Sequence, residues 1–137
     1  MSPSASEAAA HAGRGDAVIG WKLDRDQRRE LLERFPPTFS TAVADHVTLA
    51  ARAARDAPLP QESGGEIIGV ARDSSGVEAM VVAIGGTTDR PGGGTYHITW
   101  SLAPGRKAQE SNDVIAANGW VDFDVPIPVT LHPARFR

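Results

Sequence analysis

The 137-residue chain has no cysteine, which excludes disulfides, thiolate catalysis and cysteine zinc sites. The absence fits the reducing cytoplasm, the expected location. It has no excess of positive charge either. Fourteen Lys and Arg stand against 17 Asp and Glu, a net charge of −3, so no global basic field exists to hold a long duplex nucleic acid. Any nucleic-acid contact must be local, to a strand end or a small nucleotide. No apolar run approaches the ~20 residues that cross a bilayer, and no membrane partner is expected. The glycine-rich stretch 85–94 lacks the Gly-Lys-Ser/Thr ending of a phosphate-cradling P-loop, so it reads as a flexible loop. No Gly-x-Ser-x-Gly is present for an acyl hydrolase.

What is there reads as one globular domain. A hydrophobic share of 41% and a charged share of 23% are ordinary for a folded protein of this length. Residues 1–17 are rich in Ala, Ser and Gly, without a leucine core or a basic start. They are expected to form a disordered tail rather than a secretory signal, with His11 inert in it. The domain is then 18–137. Asp24 and Gln27 mark a helix start, Leu31, Leu32 and Phe35 its apolar stripe, and Pro36-Pro37 its stop. The charged residues between these apolar positions are expected to face water. Strands are expected at about 44–50, 66–71, 77–84 and 95–102, with Asp73-Ser-Ser-Gly76 as a hairpin turn. Ser111 is placed to cap a helix running to Asn118, with Gly119 as its stop. Two closing strands, 120–125 and 127–131, carry Pro126 and Pro128 and belong at an edge or a bulge. The fold class is α+β with a mostly antiparallel sheet.

Two of the strands echo each other: Asp45-His46-Val47-Thr48-Leu49 and Tyr96-His97-Ile98-Thr99-Trp100. Strand alternation puts His46 and Thr48 on one face and Val47 and Leu49 on the other, and the second copy repeats this. With four histidines and eight threonines in the chain, two His-x-Thr matches arise by chance in about 0.02 of cases. A single buried histidine is usually a satisfied core residue. A matched pair in matched context points to a site. Two imidazoles supply an acid and a base near neutral pH, and two hydroxyls can stabilise charge growing on phosphate oxygens. A strained 2′,3′-cyclic phosphate suits such a set. Two histidines could also bind zinc, but no third ligand has suggestive spacing, and Asp45 on a regular strand points away from His46. No metal or cofactor is therefore expected.

These residues resemble the 2H phosphoesterase superfamily, named for two His-x-Thr/Ser motifs. The flanks Phe35-Pro-Pro, Tyr96-His-Ile-Thr-Trp-Ser and the downstream Ser111-Asn112 are similar to the cyclic phosphodiesterase domain of plant and fungal tRNA ligases and of related bacterial stand-alone proteins. The resemblance spans about 19–131. It implies two pseudo-symmetric lobes around a central cleft and metal-independent opening of a 2′,3′-cyclic phosphate to a 2′-phosphate. It makes His46 and His97 the acid/base pair and Thr48 and Thr99 the phosphate-binding hydroxyls. His97 is favoured as the group that activates water and His46 as the proton donor, with the reverse order left open. Only 51 residues separate the histidines, fewer than in larger members, so the lobes must be trimmed.

Further contacts are expected from Arg106 and Lys107, which follow the second motif, and from Ser111 and Asn112. Tyr96 is a weaker candidate, because it shares the face opposite His97 with Trp100. Trp21, Trp100 and Trp120 read as core, and His132 as incidental. The expected partners of a monomeric enzyme are RNA ends or small cyclic-phosphate nucleotides. Alternatives are the cyclic phosphate of ADP-ribose, 2′,5′-linked or cyclic oligonucleotides, or a non-catalytic module that binds nucleotides or RNA ends.

Overall fold

A computed structural model describes residues 4–13 and 15–136. In chain order the elements are α1 (Ala5–Ala10), β1 (Ala17–Leu23), α2 (Arg25–Arg34), β2 (Thr41–Ala42), β3 (His46–Ala53), β4 (Gly64–Arg72), β5 (Val77–Ala83), β6 (His97–Leu102), α3 (Ser111–Asn118) and β7 (Val121–Phe136). The protein is mixed α and β and dominated by sheet. All strand pairings are antiparallel, in the order β6-β3-β1-β7-β4-β5, and β5 returns to β6. The sheet thus closes into a barrel, and β2 adds a short pairing beside β6.

Alternation fills the barrel. Val47 and Leu49 of β3, Ile98 and Trp100 of β6, and Ile19, Trp21 and Leu23 of β1 are all buried in one core. Full burial of each large side chain is worth about 1.5–3 kcal/mol, so these residues specify which face of each strand points inward. The indole N–H groups of Trp21 and Trp100 donate to the carbonyls of Glu62 and Phe35, 2.7 and 2.9 Å away. At the far end of the site strand β6, the buried Glu78 carboxylate accepts from Thr38, Ser101 and Arg72 and staples β5 to its neighbours.

Several elements differ from expectation. The expected tail carries α1, capped by Ser4, with Ala8 fully buried in the core. Residues 1–3 and Arg14 of that stretch lie outside the described residues. The two expected closing strands are one, because β7 serves two partners in succession: 121–130 pair with β4 and 131–136 with β1. Each half is therefore bonded on one side, which leaves room for prolines without a backbone N–H. Pro126 falls in the irregular stretch between the Asp122↔Gly69 and Ile127↔Ile67 pairs. Trp120 is 36% exposed and donates to Asp122 rather than entering the core. Among the described residues no helix is long and apolar enough to cross a membrane.

Candidate active site

The two echo strands are neighbours. β3 and β6 meet at one bridge, Val47↔Ile98, which joins the middle residues of the two His-x-Thr motifs. Both middle residues point into the core with no exposure. Strand alternation then turns His46, Thr48, His97 and Thr99 to the opposite face, around that bridge. All four line one cavity of about 470 Å³, with Arg90, Gln109 and Asn112. Gly20 lets β1 lie close against the first of these strands: a Cβ there would stand 2.1 Å from the Val47 carbonyl oxygen.

The strand leading into β3 is bulged just before the first histidine. From Ala42↔Ser101 to Val47↔Ile98 it advances five residues while β6 advances three. Ala44 takes up the distortion in a left-handed conformation at φ 45°, uncommon for a residue with a Cβ. Bulges re-aim side chains, and this one cancels the alternation expected of Asp45 and His46. The Asp45 carboxylate lies 3.0 Å from Nδ1 of His46. Two arginines of α2 hold the bulge open. Arg28 donates to the carbonyls of Val43 and Ala44, and Arg25 to that of Asp45. They satisfy three successive carbonyls, of which that of Asp45 also accepts from the Leu23 N–H of β1 at 3.0 Å.

The two rings have unlike surroundings. Burial works to raise the Asp45 pKa, but hydrogen bonds and charge from Lys22 and His46 outweigh it and hold the carboxyl down to about 2. Asp45 is therefore an acceptor only, and Nδ1 of His46 carries the proton, leaving Nε2 for the cavity. Phe136 packs on the ring at 4.8 Å between centroids. His97 instead donates from Nδ1 to the Thr95 carbonyl oxygen, 2.8 Å away. Its pKa falls below the ordinary 6.5, chiefly because burial disfavours the charged ring, with Arg90 and His46 adding repulsion against the Thr95 hydrogen bond. At neutral pH the ring is uncharged, with a lone pair on Nε2.

The threonines differ too. Thr48 is half-buried, and among the described residues its hydroxyl has no protein partner. Thr99 is nearly buried, and its Oγ1 lies 2.8 Å from the Ser111 Oγ. Ser111 does not cap α3. It is the first residue of that helix, behind Thr99, and Glu110 takes the capping position without a side-chain bond.

Asn112 lines the cavity and accepts from the Thr95 N–H through Oδ1, which leaves its amide N–H groups for a ligand. Arg106 does not reach the cavity. It is committed to Asp73, Ser75 and Glu110, where it locks the β4–β5 turn to the segment before α3. Lys107 is exposed and does not line the cavity. Tyr96 lies in the core against Trp21, its ring centroid 5.8 Å away, and its pKa is pushed up to about 12 by burial and the nearby Glu62, against Arg90. His132 bonds Asp24 at the start of α2.

Arg90 carried no expectation. The glycine-rich stretch that holds it is a closed hairpin tip, with Arg90 and Gly94 bonded at 3.0 Å and Gly93 returning to Arg90 at 2.9 Å. Arg90 Nε donates to the Gly93 carbonyl, and among the described residues its terminal nitrogens have no protein partner. Gly94 makes the room: at φ 86° a Cβ would press on Asn112 Nδ2 at 3.0 Å and Arg90 Nη2 at 3.1 Å. The sequence signal was present, an arginine among five glycines, but nothing local aims it at the histidines. Among the described residues no group of three or more His, Asp or Glu is placed to hold a metal ion.

No protein-family model, curated protein or solved structure matches the chain.

Proposed function

We propose that the protein is a phosphodiesterase that hydrolyses 2′,3′-cyclic phosphates, at RNA ends or on nucleotides, by metal-independent two-histidine catalysis. The observation that carries this reading is the single Val47↔Ile98 bridge, which gathers two histidines, two threonines and Arg90 around one cavity. A phosphodiester anion matches the guanidinium of Arg90 and the hydroxyls of Thr48 and Thr99. His97, neutral and with a free Nε2, takes a proton from water as the water oxygen bonds to phosphorus. The P–O3′ bond breaks, and His46 gives its Nε2 proton to the departing 3′-oxygen. Asp45 faces the His46 ring and keeps its Nδ1 protonated throughout. The product is a 2′-phosphate with a free 3′-hydroxyl. The bulge at Asp45 favours this division of labour over the reverse, because it supplies a carboxylate to one ring only. In this reading the two-lobed symmetry of the 2H phosphoesterases is reduced to the pseudo-twofold relation of two motifs about one bridge.

The test is an assay of purified protein, in EDTA, on nucleoside 2′,3′-cyclic phosphates and 2′,5′-linked dinucleotides. Release of a 2′-phosphate from the cyclic substrates, abolished in the double variant His46→Ala/His97→Ala, is the expected result. Tight binding with no turnover of any substrate would replace the enzyme with a nucleotide-binding module.

A further inference from the structure

A second cavity of about 920 Å³ opens beside the first and shares two wall residues with it, Ala51 and Arg90. Ala9 and Ala12 of the N-terminal segment, with Gly92, make its other walls small and apolar. Arg52, at the exposed end of β3, is a second cation on its rim, and among the described residues its guanidinium has no hydrogen-bond or ion-pair partner. In a chain of net charge −3, two unneutralised guanidiniums flanking one hollow form a local positive field.

We propose that this hollow is a subsite for a second phosphate, so that preferred substrates carry a phosphoryl group one nucleoside away from the cyclic phosphate. The inference rests on the phosphodiesterase reading of the adjoining site. Arg90 stands at the boundary and can face both phosphates, whereas Arg52 borders only the outer cavity. Guanidinium forks match phosphate oxygens in pairs, and small Ala and Gly walls let a nucleoside lie close to the backbone. A volume of this order accommodates a nucleotide-sized ligand. A wholly apolar ligand would leave both cations without a counter-charge. The second phosphate comes either from a 5′-phosphate on a mononucleotide or from the internucleotide link of an oligonucleotide end.

The experiment separates the subsite from catalysis by measuring binding as well as turnover. Calorimetric titration of the full chain with adenosine 2′-phosphate and adenosine 2′,5′-bisphosphate is expected to show about tenfold tighter binding of the bisphosphate, the scale of one charge-assisted contact. Arg52→Ala should remove most of that gain and Arg52→Lys retain part of it. Equal affinities in the wild type, or a gain that survives Arg52→Ala, overturn the proposal. Turnover of adenosine 2′,3′-cyclic phosphate with and without a 5′-phosphate, and of a dinucleotide ending in a cyclic phosphate, identifies the source of the second phosphate. If none is hydrolysed but the Arg52-dependent gain persists, the hydrolytic reading falls and the subsite stands.

Discussion

His46 and His97 sit in nearly the same five residues and in unlike neighbourhoods. His46 is half-exposed and faced by a carboxylate, itself balanced by Lys22 at 2.8 Å and Arg25 at 3.2 Å. His97 is more deeply set, and among the described residues its only polar partner is a backbone carbonyl. A carboxylate stabilises whatever positive charge its imidazole acquires, whereas burial beside Arg90 opposes such charge. Like motifs thus acquire unlike electrostatic surroundings from their neighbours. The contrast extends to the hydroxyls: Thr48 is open to a ligand, and Thr99 is braced from behind by Ser111.

Deleting each ring in turn tests this contrast most strongly. His97→Ala and His46→Ala should each lower kcat/KM by about a hundred- to ten-thousandfold, the range of positioned acid–base groups. The two losses should differ in pH dependence. The base must be neutral, so activity rises with pH through the lowered pKa of His97, and this ascending limb lies below pH 6.5. It should vanish in His97→Ala and persist in His46→Ala. The opposite pattern reverses the assignment.

The hydroxyl contrast comes next. Thr48→Val and Thr99→Val should each cost about a hundredfold in kcat, as for removal of one donor to developing charge. Only Thr99→Val should also destabilise the fold, by about 1 kcal/mol in a denaturant titration, because it strands the buried Ser111 hydroxyl. Equal stability of the two variants would show that Ser111 does not brace Thr99.

The smallest effect belongs to Asp45→Asn. Loss of a charged partner is worth about 1.5–3 kcal/mol, which is roughly a ten- to hundredfold drop in kcat/KM with the ascending limb in place. Acid stability adds a second readout. A carboxyl whose folded pKa is about 2, against the ordinary 3.8, stabilises the fold fully above the ordinary value. That contribution is lost as pH falls through about 2. Asp45→Asn should flatten stability in this window, and an unchanged acid transition would disprove the linkage.

Much of the site was legible because strand alternation is local physics. Val47 and Ile98 are apolar and must be buried, so their polar neighbours His46, Thr48, His97 and Thr99 must turn outward. The helix start at Asp24 was equally legible, since its side chain caps the Gln27 N–H. Asp45 was misjudged because alternation holds only for a regular strand, and the bulge is kept open by arginines from a helix earlier in the chain. Arg106 was misjudged because its nearness in sequence to the second motif says nothing of Asp73, which claims it from another hairpin. Ser111 has the right residue type for a cap, but Thr99 claims its hydroxyl.

Residue order alone sufficed for the two polar pairs, the faces they occupy, most strand and helix positions and the absence of thiol chemistry. These follow from side-chain period and residue type, which act over a few neighbours. The packing of distant segments settled that the two strands share a bridge, that Asp45 faces His46, that His97 rests on a backbone carbonyl, and that Arg90 lines the cavity. Those outcomes depend on barrel closure, which brings residues 47 and 98 together and sets each ring in its own surroundings of burial and distant charge.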